Sequence, residues 1–220
     1  MAKVPIIFHV SWASQAVPAL AYFATSRRSS AAAAIALGAS VSFLANAVSK
    51  VMAIMVHNNH VVTYISSPIT AACFLHALRE WQLTRREQRV IQVGTLVFLV
   101  AWVLLVALVE NVTGFNLITG PLYSLTLLLA AAWTLIRRAS VIEATPLLQA
   151  DWFWVCLGLS IYGAATALAD PIGGILVARQ RLDLFHVAWS LRALFSIVSF
   201  LLMSWGIFQG PAVSRFATVE

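Results

Sequence analysis

Residues 90–110 read VIQVGTLVFLVAWVLLVALVE: twenty consecutive positions without a charge, closed by Glu110. A hydrocarbon core roughly 30 Å thick is crossed by a helix of about 20 apolar residues. In lipid such a segment has no water to satisfy its backbone, so it must bond to itself as a helix. Just before it, residues 79–89 read REWQLTRREQR and crowd Arg79, Arg85, Arg86 and Arg89 into a short polar stretch. That stretch ends one span and starts the next, and its cations suit the side of a bilayer that carries anionic lipid.

Working outward, six more segments pass the same length test: about 4–24, 31–56, 60–78, 117–136, 151–170 and 185–208. None shows the alternation of period two that a β-barrel strand requires, and no internal repeat points to inverted symmetry. Composition agrees. Of 220 residues 61% are hydrophobic and 10% charged, with a mean hydropathy of +0.88, whereas a water-soluble domain carries roughly a quarter of its residues charged. The expectation is an all-α integral membrane bundle of seven transmembrane helices forming one domain over residues 1–220, with short connections and no output domain. Lys3 and Ala19-Leu20-Ala21 are loosely compatible with a cleaved signal. The apolar run continues to Ala24 before Arg27-Arg28, so a retained first span is expected.

Charge placement sets the orientation. Arg27, Arg28, Arg79, Arg85, Arg86, Arg89, Arg137, Arg138 and Arg215 fall on one side, and Lys3, Arg179 and Arg181 on the other. The positive-inside rule makes the first side cytoplasmic, with the N-terminus outside and the C-terminus inside. Short loops and an Ala- and Arg-rich composition suggest a bacterial inner membrane. The net charge of +6 serves topology; no basic stripe with interleaved aromatics exists, and nucleic acid is not an expected partner. Cys73 and Cys156 sit within apolar runs as small core residues.

Polar residues inside hydrocarbon cost roughly 2.5–3.5 kcal/mol for a central charge on insertion scales, so their positions are informative. Helical spacing groups Asn46, Lys50 and His57 in the second span and His60, Thr63, Tyr64 and Ser67 in the third. It also groups Tyr162, Thr166 and Asp170 in the sixth, and Asp183, His186 and Ser190 in the seventh, with Arg192 following. The first span adds His9, Ser11, Ser14 and Gln15, and the fourth ends at Glu110. Nearly all lie in the half of the bundle nearer the N-terminus. Asn46, Lys50, Tyr64, Ser67, Tyr162, Asp170 and Arg192 are therefore candidate lining residues of a pocket for a carboxylate, phosphate or lipid headgroup. A structural reading stands beside it: Lys50 and Arg192, each about seven residues into its span, could snorkel to the interface, or pair with Asp170 to hold helices together.

His9, His57, His60 and His186 lie at similar depth and are candidate metal ligands, with zinc the natural choice for imidazole and carboxylate. Haem needs two facing histidines, and nothing in the spacing selects a pair. No cofactor is expected. Zinc-dependent seven-helix hydrolases of the ceramidase and adiponectin-receptor type carry two histidines four apart in the last helix, where this chain has His186 and Ser190. Tyr64-Ile65-Ser66-Ser67-Pro68 resembles a stretch of the microbial rhodopsins, but the last helix offers Arg192 in place of their chromophore lysine. Pro18, Pro68 and Pro121 interrupt spans and would suit hinges of a transporter.

His57-Asn58-Asn59-His60 with Tyr64 and Pro68, Pro146 through Asp151-Trp152-Phe153-Trp154 with Tyr162, and Trp189 through Trp205-Gly206-Ile207 cover about half the chain. Together they resemble uncharacterised bacterial seven-helix proteins that are similar to stand-alone membrane sensor modules. The resemblance implies the bundle architecture and no agreed activity. The leading expectation is a non-enzymatic, sensor-like or accessory subunit that binds a small anionic ligand or lipid group and acts through another membrane protein or self-association. A metal-dependent membrane hydrolase acting on a lipid and a small-solute transporter are the alternatives.

Overall fold

The structure is a computed structural model that describes residues 5–26, 28–56, 58–114, 116–141 and 146–210. Its helices are α1 (Ile6–Ser14), α2 (Val17–Ala24), α3 (Ser30–Met55), α4 (His60–Glu80), α5 (Arg85–Leu108), α6 (Thr119–Ala139), α7 (Asp151–Ala178) and α8 (Leu182–Gln209). A 3₁₀ turn, Leu147–Gln149, leads into α7, and among the described residues there is no strand. Among the described residues seven helical stretches are long and apolar enough to cross a membrane, α1 and α2 together making the first. The chain is an all-α, multi-pass membrane protein.

Local chemistry sets the helix ends. Ser29 caps α3 by accepting a hydrogen bond from Ala32 N at 3.0 Å. Thr84 and Glu87 close a reciprocal capping box on α5, and such caps are each worth about 1 kcal/mol. That box starts α5 at Arg85, five residues earlier than hydropathy places it at 90, because the cap recruits the polar Arg85–Arg89 turn into the helix. Pro121 lies in the first turn of α6, where its missing N–H has no partner to lose, so it does not interrupt the span.

The first span differs from the expected continuous helix. Pro18 cannot donate a bond to Ser14 O, and the chain turns through Gln15 and Ala16, whose amides bond instead to Trp12 O at 3.2 Å and Ala13 O at 3.0 Å. Pro171, by contrast, is absorbed inside α7. The apolar residues after it carry the helix on to Ala178 rather than 170. Only Arg179–Arg181 then remain to turn the chain, with Gln180 at a φ of 56°, so α8 begins at Leu182 rather than 185. At 1.5 Å per residue α7 and α8 are each about 42 Å long and outreach the hydrocarbon core.

The first span, α3, α4, α6, α7 and α8 pack in sequence into a ring that closes where α8 meets α1 and α2; α5 lies outside it, against α4 and α6. Apolar burial does not drive helices together in lipid, so close packing has to do so. The α7–α8 seam shows how. A methyl group at Gly158 would lie 2.7 Å from Ser199 O, and one at Gly206 would lie 2.7 Å from Asp151 O; with hydrogen there, the two backbones meet directly. Outlying α5 is tied on by a polar bond. Pro68 leaves the Tyr64 carbonyl without its helical donor, and the Trp102 indole N–H of α5 donates to that oxygen at 3.1 Å.

Candidate functional site

The two ends of the ring are built differently. The end where α1 begins, here the amino half, is also bounded by the α3–α4, α5–α6 and α7–α8 connections. Within it the ring parts around a cavity of about 630 Å³. The walls come from α1, α3, α4, α6, α7 and α8, with Asn59 and Asn116 at the connections.

On the α3 side, the Lys50 ammonium sits 3.7 Å from the centre of the Trp12 ring. Trp12 is itself held in place: its ring stacks on Phe43 at 5.0 Å, and its indole N–H donates to Phe43 O at 3.0 Å. A cation over the face of tryptophan is favoured by about 0.5–2 kcal/mol, more as water is excluded. Next to it, Asn46 Nδ2 donates to Gln15 Oε1 at 2.8 Å and to Ser42 O at 3.1 Å, joining α1 to α3. Among the described residues no carboxylate pairs with Lys50.

Opposite, Arg192 Nη2 lies 3.4 Å from Asp170 Oδ1. This separation is beyond the 2.7–2.9 Å of a strong charge-assisted hydrogen bond. The guanidinium lies 4.7 Å from the Trp189 ring, which stacks on Phe185 at 4.9 Å. Arg192 Nε is buried without a hydrogen-bond partner, leaving a buried donor of the kind that normally finds one. Gly120, in the first turn of α6, leaves room for Asp170: a methyl group there would lie 3.1 Å from Asp170 Oδ2. The floor is aromatic. Tyr123 and Tyr162 meet edge to face at 6.3 Å, and Tyr162 meets the buried Phe200 at 5.7 Å.

Of the residues singled out from sequence, Asn46, Lys50, His60, Ser67, Tyr162, Asp170 and Arg192 line this cavity. Tyr64 does not. The lining face of α4 runs through Thr63, Ser66, Ser67 and Thr70, and Tyr64 lies one residue step, about 100°, past Thr63. Its side chain is buried instead. His9 and His186 are exposed and not part of the lining, and His57 lies outside the described residues. Among the described residues no three His, Cys, Asp or Glu side chains gather as a metal would require. Glu110 is engaged at the end of α6. Its Oε1 accepts from Ile118 N at 2.6 Å and Thr119 N at 3.2 Å, so its charge caps the positive end of that helix.

Sequence reasoning missed Trp12, Trp189, Phe185, Tyr123, Ser42 and Thr70. A signal existed for several of them: Thr70, for one, stands three residues after Ser67. Ser42 stands four residues before Asn46, and Trp189 three before Arg192, both same-face spacings. No family model, characterised protein or solved structure matches the chain.

Proposed function

We propose that this chain is a non-enzymatic, sensor-like or accessory membrane subunit that binds a small anionic ligand in the amino-half cavity. The observation that carries the reading is that Lys50 and Arg192 line one cavity in which, among the described residues, the one carboxylate is Asp170, loosely engaged with Arg192. Two cations against Asp170 leave a surplus positive charge in the cavity, which suits an anion. The vacant Nε of Arg192 supports the same ligand chemistry.

The orientation proposed is N-terminus outside and C-terminus cytoplasmic, in a bacterial inner membrane. Arg28, Arg79, Arg85, Arg86, Arg89, Arg137 and Arg138 at the far end, against Arg179 and Arg181 at the cavity end, support it; Lys3, Arg27 and Arg215 lie outside the described residues. The cavity would then take its ligand from the outer side. The described connections between spans are short, so ligand binding is read out through the helices, by another membrane protein or a second copy. A transport path would have to cross the Tyr123–Tyr162–Phe200 floor and the tight α7–α8 seam below it.

Thermal unfolding of the full chain in mild detergent tests the binding claim, because a ligand at one hundred times its Kd stabilises the folded state by about 2.7 kcal/mol. Sodium hexanoate, D-gluconate and phosphate are compared at constant ionic strength. At least one should raise the unfolding temperature, and the Lys50→Gln/Arg192→Gln double variant should lose that response. An unmoved midpoint with every anion, or a full response in the double variant, would sink the reading.

A further inference from the structure

We infer that the ligand is a monoanion that also carries hydroxyl groups: a hydroxylated carboxylic acid, or the phosphodiester headgroup of a glycerol-bearing lipid. This rests on the anion reading above and deepens it.

Three of the cavity's neutral polar groups have committed their protons. Thr166 Oγ1 donates to Tyr162 O at 2.7 Å, and Ser196 Oγ donates to Arg192 O at 2.9 Å. Asn46 uses Nδ2 on Gln15 and on Ser42 O. A hydroxyl that donates backward to its own helix keeps its lone pairs, and an amide whose NH₂ is engaged keeps its carbonyl oxygen. Thr166, Ser196 and Asn46 therefore offer acceptors along the wall, while Lys50 and Arg192 supply the charged donors. A ligand that satisfies both needs an acidic group for the cations and hydroxyl donors for the wall. A plain fatty acid would leave the wall unpaired, and a neutral sugar would leave the cations unpaired. Buried polar groups left without partners are what makes such sites selective.

Charge narrows the class further. Among the described residues the lining holds Lys50, Arg192 and one carboxylate, Asp170, so one negative charge neutralises the cavity and a second overshoots. Volume agrees: about 630 Å³ lies within the roughly 300–1,000 Å³ of small-molecule pockets, ample for a six-carbon acid or a headgroup.

Matched pairs of probes test the inference by calorimetric titration of the full chain in mild detergent. D-gluconate is set against hexanoate for the free acid, and dihexanoyl phosphatidylglycerol against dihexanoyl phosphatidylethanol for the lipid; each pair shares its charge and differs in hydroxyls. In at least one pair the hydroxylated member should bind at least tenfold tighter, and the pair that does so names the source. Thr166→Val with Ser196→Ala should erase that tenfold preference while leaving affinity for the unhydroxylated partner intact, which also shows that the variant is folded. Anions that bind with less than a tenfold difference in both pairs would overturn the hydroxyl inference and leave the anion reading standing. No binding by any of the four, or equal binding of D-glucose, would overturn both.

Discussion

The two halves of this bundle are furnished alike and behave differently. Each holds a polar cluster in which cations meet a carboxylate and tryptophans. In the carboxyl half Arg137 Nε donates to Glu87 Oε1 at 2.6 Å, and Arg138 Nε donates to Trp81 O at 2.7 Å with its guanidinium 5.7 Å from the Trp152 ring. Gln82 Nε2 reaches Thr134 Oγ1 and Leu78 O, both at 2.8 Å. Apart from Arg79 Nε, these groups bond one another. In the amino half Arg192 stands 3.4 Å from Asp170 with an idle Nε, and Lys50 has only a ring for company. Residue type therefore does not separate a structural polar cluster from a candidate site. Distance and vacancy do, since a satisfied group has no valence left for a ligand.

Breaking the tight half should cost most. Gly158→Leu drives a side chain into the Ser199 carbonyl and Met203, and a loss of about 3 kcal/mol is expected from overpacking, read as a lower thermal midpoint and a broadened size-exclusion peak. A glycine-to-leucine change that leaves both unaltered would deny that the seam is close-packed.

Next in size is the strap that holds α5. Trp102→Phe strands the Tyr64 carbonyl that Pro68 has already freed; about 1–2 kcal/mol should be lost, within the range for a buried unsatisfied group. Adding Pro68→Ala restores a main-chain donor to that carbonyl, and the double variant should recover most of the loss. Strict additivity in this cycle would break the proposed link.

Smaller still, Glu87→Gln in the carboxyl half should cost about 1 kcal/mol, because Arg137 is partly exposed and water screens the pair. The matching change in the amino half, Asp170→Asn, should leave stability nearly unchanged, within about 0.5 kcal/mol, since its bond to Arg192 is long. Its effect should fall on binding instead. With the competing carboxylate gone, D-gluconate should bind several-fold tighter and the dianion D-glucarate should gain more. Equal destabilisation by the two changes would erase the distinction between the halves.

Much of the architecture was legible because its causes are local. Seven apolar stretches and the basic 79–89 turn could be read one segment at a time. The deviations also have local causes that hydropathy ignores: the Thr84–Glu87 box extends α5, and prolines act by position, turning the chain at Pro18 and riding inside α7 at Pro171. The depth of the polar residues was legible too, since each helix reports its own. Which of them share a cavity was not. Tyr64 and Ser67 satisfy the same spacing rule from His60, yet only Ser67 faces inward, and Trp12 and Trp189 read as apolar until Lys50 and Arg192 are seen lying over them.

By itself, then, the sequence determined that this chain is helical, how many times it can cross a bilayer, and that its polar residues gather towards one end, because the penalty for exposing backbone or charge to hydrocarbon falls on each segment separately. The tertiary structure alone decided that α5 stands outside the ring, that Glu110 caps α6 rather than lining a pocket, and that Lys50, Asp170 and Arg192 look into one space. Those outcomes depend on how each helix is rotated about its axis. That rotation is fixed by the neighbours it packs against, through contacts such as Gly158 on Ser199 and Trp102 on Tyr64.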